Sequence, residues 1–235
     1  MKHRGMAALR PEHLTRERLA GLALIVAVNG LAYYGSRLLM SGAPHYDLTA
    51  AWDRAIPFVP WTSVIYLGCY LFWIVNYVIG ASRRDEEAWA FLAGEVLAKL
   101  ICLLIFLLLP TTNVRPAVEG TSLFDALMRF IYAKDAPDNL FPSIHCLVSW
   151  YCVIAVRRNK AVPLWYRGLS VLLCLAVCLS TLTTKQHILI DVIGGVALAE
   201  LSFRTAKETG LARGYGRVLT ALLANKNEKG DRIHE

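Results

Sequence analysis

Six stretches of this sequence are long and apolar enough to be read as crossings of a lipid bilayer, roughly 19–40, 61–80, 88–109, 142–156, 166–183 and 187–205. A hydrocarbon core about 30 Å thick needs on the order of 20 apolar residues in a helix to span it. No water is present there to satisfy amides, so each crossing must close its own hydrogen bonds, as a helix does. Of the 235 residues 56% are hydrophobic and 18% charged, which leaves no room for a large soluble module. The expected fold is all-α: a polytopic membrane protein built as a six-transmembrane-helix bundle. Its expected parts are a cytoplasmic N-terminal segment (1–18), the membrane domain (19–205) and a cytoplasmic C-terminal tail (206–235). The polar residues from Asn225 to Glu235 are expected to fray.

Basic residues set the orientation. They gather at one set of helix ends: the N-terminal cluster Lys2 to Arg18, then Arg83-Arg84, then Arg157-Arg158, then the tail with Arg204, Lys207, Arg213 and Arg217. The positive-inside rule places both termini in the cytoplasm, in a plasma or cytoplasmic membrane. Loops 41–60 and 110–141 and the turn 184–187 then face outward. The run from Leu19 to Met40 is too long for a signal-peptide core and reads as an uncleaved first span. The net charge of +7 fits cytoplasmic loops and anionic lipid. Nucleic acid is not an expected partner, because no segment interleaves aromatic and basic residues.

Inside the spans, Cys69, Cys102, Cys146, Cys152, Cys174 and Cys178 form no C-x-x-C pair and read as small buried hydrophobes. Glu95 and Lys99 lie four apart in an apolar helix, in the favourable order for an ion pair. The pair reads either as mutual neutralisation or as part of a polar path. Within loop 110–141, Ser122 to Ala133 has helical apolar spacing.

Three sequence-distant groups fall on the outward side. Arg115-Pro116 follows span three, Phe141-Pro142-Ser143-Ile144-His145 opens span four, and Lys185, His187 and Asp191 open span six. If span six is helical from its start, His187 and Asp191 share a face. Pro142 suits a first helical turn, which would leave the Ser143, Ile144 and His145 amides free to bind an anion. The Ser143 hydroxyl adds a donor, Arg115 a fork suited to phosphate oxygens and Lys185 a compact charge. Two histidines and a carboxylate supply a nucleophile, its orienting partner and an acid. A proton path would not need Arg, Lys and a helix N-terminus together, so phosphoryl transfer is the better reading. His45, His3, His13 and His234 lie in loops or tails and receive no role, Asp138 and Asn139 read as turn residues, and Gly194-Gly195 reads as a close-packing site.

These blocks resemble the signature of the type 2 phosphatidic acid phosphatase (PAP2) superfamily: K-x6-R-P, then P-S-G-H, then S-R-x5-H-x3-D. The sequence keeps Arg115-Pro116, Pro142-Ser143 with His145, and Ser180 with His187 and Asp191 at the third motif's spacing. It departs at Leu108, Ile144 and Thr181, where the pattern has lysine, glycine and arginine. The pieces F-P-S-I-H and T-K-Q-H-x3-D, with Asp135 and Pro137 ahead of them, are similar to the inositol phosphorylceramide synthase-like branch.

The resemblance implies a site at the extracytoplasmic face and a membrane lipid phosphate as substrate. His187 would attack phosphorus, Asp191 would orient its ring, and His145 would protonate the departing alcohol. Arg115, Ser143 and Lys185 would bind the phosphate, with Lys185 standing in for a missing motif cation. The scheme needs no metal and no other cofactor. Release to water gives a lipid phosphate phosphatase, and release to a hydroxyl gives a lipid phosphotransferase. Two other readings are a metal hydrolase using His145, His187 and Asp191 as ligands, and a transporter with an intramembrane ionisable relay. Nothing in the sequence sets an oligomeric state.

Overall fold

The computed structural model describes residues 14–231, without the side chains of residue 85 and residues 225–231. Most of the basic N-terminal cluster, with His3 and His13, lies outside the described residues, as does His234. The chain opens with α1 (Arg16–Gly30), which runs through a π turn (Leu31–Gly35) into α2 (Ser36–Met40). The short α3 (Ala51–Ala55) precedes α4 (Ser63–Ala81) and α5 (Asp85–Leu108). Then follow α6 (Leu123–Lys134), α7 (Ile144–Arg157), α8 (Leu164–Thr183), α9 (Leu189–Glu208) and α10 (Leu211–Asp231).

Among the described residues four helices are long and apolar enough to cross a membrane: Arg16–Met40, Pro60–Ala81, Glu86–Leu108 and Leu164–Thr183. α7 is the exception among the apolar helices. Its 14 residues span roughly 21 Å at ~1.5 Å per residue, short of a core of ~30 Å. α9 is long enough, at 20 residues, but carries Asp191, Glu200 and Arg204. The bundle is apolar on its surface as well as in its core. Leu38, Leu71, Ile74, Leu104, Leu172 and Leu201 project outward, whereas Asn76, Glu95, Lys99, Ser149, Ser170 and Thr181 are buried. An apolar exterior with ionisable groups drawn to the interior is what a bilayer selects.

α5 is the hub, packing on α9, α10 and α1, while α7 packs on α8, α4 and α9. Small residues permit the closest approach. A Cβ on Gly94 would stand 3.0 Å from the Phe203 Cα and 3.1 Å from the Ser202 carbonyl oxygen. Around that contact lies a core of Phe91, Leu92, Phe106, Leu147, Tyr151 and Ile154. All six cysteines are buried free thiols, and Cys146, Cys152, Cys174 and Cys178 share a second core cluster. At the arginine-rich end, Arg18 donates to the Ala81 and Arg83 carbonyls (3.1 and 3.0 Å), and Arg83 donates to that of Ile154 (3.0 Å). Arg157 grips Glu200 through both terminal nitrogens, at 2.8 and 3.0 Å.

The expected short helix is present as α6, begun by Ser122, whose hydroxyl accepts from the Asp125 amide while the Asp125 carboxylate accepts from the Ser122 amide. The tail differs from expectation. Residues 211–231 form α10, docked on α5 and α1 with Tyr215 against Trp89, and Gly210 supplies the positive φ of the turn before it. The stretch expected to fray continues the helix to Asp231, and residues 232–235 lie outside the described ones. A two-residue parallel pairing of Tyr46–Asp47 with Thr111–Thr112 is the one strand feature among the described residues. It ties loop 41–60 to the start of loop 110–141. The Thr111 hydroxyl then accepts from the amides of Leu140 and Phe141 (3.0 and 2.9 Å), closing that long loop on itself just before α7.

Candidate active site

The N-terminus of α7 is docked onto the first turns of α9. The Ser143 amide donates to the Asp191 carbonyl at 3.0 Å. A Cβ on Gly195 would stand 2.4 Å from the Ser143 carbonyl oxygen, and one on Gly194 2.5 Å from the Phe141 ring. Only glycines let the two segments meet at this distance. The contact brings the His145 and His187 rings to a centroid separation of 5.9 Å.

His187 precedes α9 instead of lying on it, because the helix begins at Leu189 with Ile188 as its N-cap. Its pairing with Asp191 therefore does not come from a shared helical face. Asp191 occupies the third helical position, where its Oδ2 accepts from the Ile188 amide at 3.0 Å and faces His187 Nδ1 at 3.3 Å. The cap that starts the helix also orients the ring and leaves Nε2 for chemistry. Burial pulls the His187 pKa down, but the hydrogen bond and charge of Asp191 outweigh it and hold the imidazole above its ordinary value.

His145, one residue into α7, is stacked on Tyr66 at 4.4 Å and tilted against Trp73 at 5.4 Å. Its Nε2 is buried without a protein partner. Pro142 does not open the helix, as the sequence suggested: Ser143 is the N-cap and Ile144 the first helical residue. Of Ser143's two donors, the amide is taken. That amide serves Asp191, the hydroxyl accepts from the Cys146 amide at 3.3 Å, and the residue is fully buried. The Ile144 and His145 amides find no acceptor among the described residues, so two of the three expected anion donors stand open.

Arg115 reaches this site from loop 110–141. Its fork donates to the carbonyls of Asp135 and Ala136 and, at 2.6 Å, to Gln186 Oε1, while its Nε is unpaired. The guanidinium lies over the Tyr132 ring at 4.9 Å. Asp135 closes the site opposite, accepting from the hydroxyls of Tyr33 and, at 2.8 Å, Tyr66. Burial pushes the Asp135 carboxyl up, and His145, the two tyrosines and Arg115 together bring it below its ordinary value.

Lys185 lies on the loop side of the site, lining one cavity together with Arg115 and His187. Its backbone takes a left-handed conformation (φ 56°) in the turn between α8 and α9, a strain of order 1–3 kcal/mol that the surrounding bonds must hold. The turn sends Gln186 toward Arg115 and sends the Lys185 ammonium to the carbonyls of Asp53 (2.9 Å) and Ile56 in loop 41–60. Leu108, the motif's lysine position, is 73% exposed on the bundle surface, and Thr181, its arginine position, is fully buried. Neither can stand in for a phosphate cation.

Two cavities meet at Arg115 and His187. The inner one, about 470 Å³, is lined by His145, Gln186 and Asp135, by Asn29 of α1 and by aromatic residues of the π turn and α4, including Tyr33, Tyr66 and Trp73. The outer one, about 520 Å³, is lined by Asp53, Arg54, Asn113 and Lys185 from the loops. Among the described residues no three histidine, cysteine or carboxylate side chains are arranged to hold a metal. Sequence reasoning gave no role to Asp135, Gln186, Tyr66 or Asn113. Asp135 carried a signal in its position ahead of the second motif and Gln186 in the piece T-K-Q-H-x3-D, and the other two carried none.

A protein-family model described as the PAP2 superfamily matches residues 45–205, a span that contains both histidines, Asp191, Arg115 and Lys185. Comparison with curated proteins gave no match.

Proposed function

The chain belongs to the PAP2 superfamily, and on that premise we propose that it is a metal-independent lipid phosphate phosphatase working through a phosphohistidine at the outer leaflet. The observation that carries this reading is the facing of His145 and His187 across one cavity, with Asp191 behind the second ring and Arg115 beside it. His187 Nε2 attacks phosphorus while Asp191 holds the Nδ1 proton. His145 protonates the departing lipid alcohol, then takes a proton from water as it attacks the phosphohistidine. Arg115 and the open Ile144 and His145 amides receive the phosphoryl oxygens.

The inner cavity's wall of α1 and α4 residues suits a lipid arriving sideways from the bilayer. The arginine-rich helix ends at the opposite side of the bundle support a six-span layout with both termini in the cytoplasm. Lys185 supports the site through loop 41–60. A second reading replaces water by a hydroxyl acceptor, making the enzyme a lipid phosphotransferase; the outer cavity beyond Arg115 and His187 favours it.

Both readings release a lipid alcohol. The test is to offer purified protein in liposomes a panel of lipid phosphate monoesters and diesters, with and without EDTA, and to follow lipid alcohol. Release that survives EDTA and vanishes in His187→Ala is expected. No release from any member of the panel sinks the proposal.

A further inference from the structure

From His187, α9 carries the chain to the far end of the bundle, its 20 residues covering roughly 30 Å at ~1.5 Å each. Beyond it, the turn at Thr209 and Gly210, the helix α10 and Trp89 of α5 line a third cavity of about 950 Å³. The phosphoryl-transfer scheme makes no use of it.

At 3.6 residues per turn α10 presents three faces. Ala212 and Gly216 are docked: Ala212 is buried, and a Cβ on Gly216 would stand 3.0 Å from the Trp89 ring. Leu211, Val218 and Leu222 form a second face, apolar yet exposed, Leu222 to 63%. Arg213, Arg217 and Thr220 form the third, roughly opposite the second, and line the cavity. A helix with leucine on one side and arginine on the other is built to lie in a membrane interface, its apolar side among acyl chains. Phosphates lie outward of the chains, at the level of the arginines. Trp89 marks the same depth. It stands in the first turn of the membrane-length segment Glu86–Leu108, and tryptophan at the edge of a crossing sits among head groups.

The cavity's charge is not neutralised from within. Glu87 is paired with Arg83, and Glu200 with Arg157 and Arg204. Among the described residues no carboxylate is paired with Arg213 or Arg217, and Arg217 Nε donates to the Arg213 carbonyl at 3.4 Å. Two open guanidinium forks one turn apart suit the oxygens of a phosphate. A head group bearing its own ammonium would set a cation against both. We propose that α10 lies in the membrane interface at the arginine-rich end of the bundle and that this cavity seats the phosphate of an anionic phospholipid, a site separate from the one that holds His145 and His187.

The test counts bound lipid. Full-length protein is delipidated in detergent and titrated with phosphatidylglycerol or phosphatidylcholine, with and without inorganic phosphate, and followed by native mass spectrometry. Phosphatidylglycerol should bind about tenfold more tightly than phosphatidylcholine, or better. Arg213→Gln with Arg217→Gln should remove that preference. Ala221→Trp, which fills the cavity from its exposed rim without changing charge, should weaken phosphatidylglycerol to a similar degree. Arg158→Gln with Lys160→Gln removes the same charge from the loop between α7 and α8, outside the cavity, and should leave binding near native. Equal loss in the two double variants would reduce the attraction to diffuse surface charge and overturn the site. Native binding by Ala221→Trp, or no preference in the native protein, overturns it as well. Displacement of the lipid by inorganic phosphate would assign the cavity to a soluble anion instead.

Discussion

The Ser143 amide donates to the Asp191 carbonyl at 3.0 Å, and this backbone bond joins the segment carrying one histidine to the segment carrying the other. Gly195 makes room for it, since a Cβ there would stand 2.4 Å from the Ser143 carbonyl oxygen. The distance between the two rings is therefore a property of helix docking. Neither local sequence sets it alone.

Gly195→Ala tests that docking. Backbone cannot yield as a flexible side chain can, so the methyl should push α7 away from α9 and cost about 1–3 kcal/mol in stability. Activity should fall by more than tenfold. Gly194→Ala meets only the Phe141 ring, which can turn, and should be milder in both respects. Thermal melts in detergent and lipid alcohol release measure the two effects, and equal behaviour of the two variants would count against the docking account.

Asp191→Asn keeps an oxygen for the Ile188 amide but removes the charge behind His187. By analogy with other oriented histidines, the rate should drop on the order of 10³–10⁴-fold. The pH profile adds a sign. His187 must be neutral to attack, and Asp191 holds its pKa above the ordinary value, about 6.5. Activity of the native enzyme should then fall with acidification through a pKa above about 6.5, and the variant's residual activity should keep its acid limb at lower pH. A limb that stays in place would separate it from His187.

Arg115→Lys retains the charge and loses the fork. The guanidinium meets the Asp135 and Ala136 carbonyls and Gln186 at once, which an ammonium cannot reproduce. A loss of about 10²–10³-fold in kcat/KM is expected, comparable with removing one transition-state donor. Steady-state kinetics on the best lipid substrate check this, and near-native activity would show that charge alone suffices.

Glu95 and Lys99 form a buried pair at 3.4 Å, with the Tyr77 hydroxyl donating to Glu95 at 2.6 Å. Removing one partner strands the other charge in the bundle. Lys99→Met alone should destabilise by about 3–5 kcal/mol, and the double variant Glu95→Gln, Lys99→Met by clearly less. Urea or thermal unfolding of the three proteins decides, and additive losses would dissolve the pairing.

Much of the helical bundle was legible in advance because hydrophobic run length answers directly to the bilayer. α6 was legible from its spacing and the Glu95–Lys99 pair from its register. The α10 helix was not, since its fit against Trp89 and α1 depends on surfaces far away in sequence. Of the site, His145, His187, Asp191 and Arg115 could be picked out by residue type, order and spacing. Lys185 could not be placed. A left-handed turn sends its ammonium toward loop 41–60, and no sequence spacing expresses that reversal.

By itself, then, the sequence determined a membrane-length helical chain and its chemical inventory, because periodicity, run length and residue type are local quantities. Tertiary structure decided the rest: that Ser143 caps α7 and ties it to α9, that Asp135 and Gln186 steady Arg115, and that two cavities meet at His187. Those facts depend on which donors find which acceptors once helices dock, and in a bundle the partners lie up to 100 or more residues apart, as Tyr33 does from Asp135.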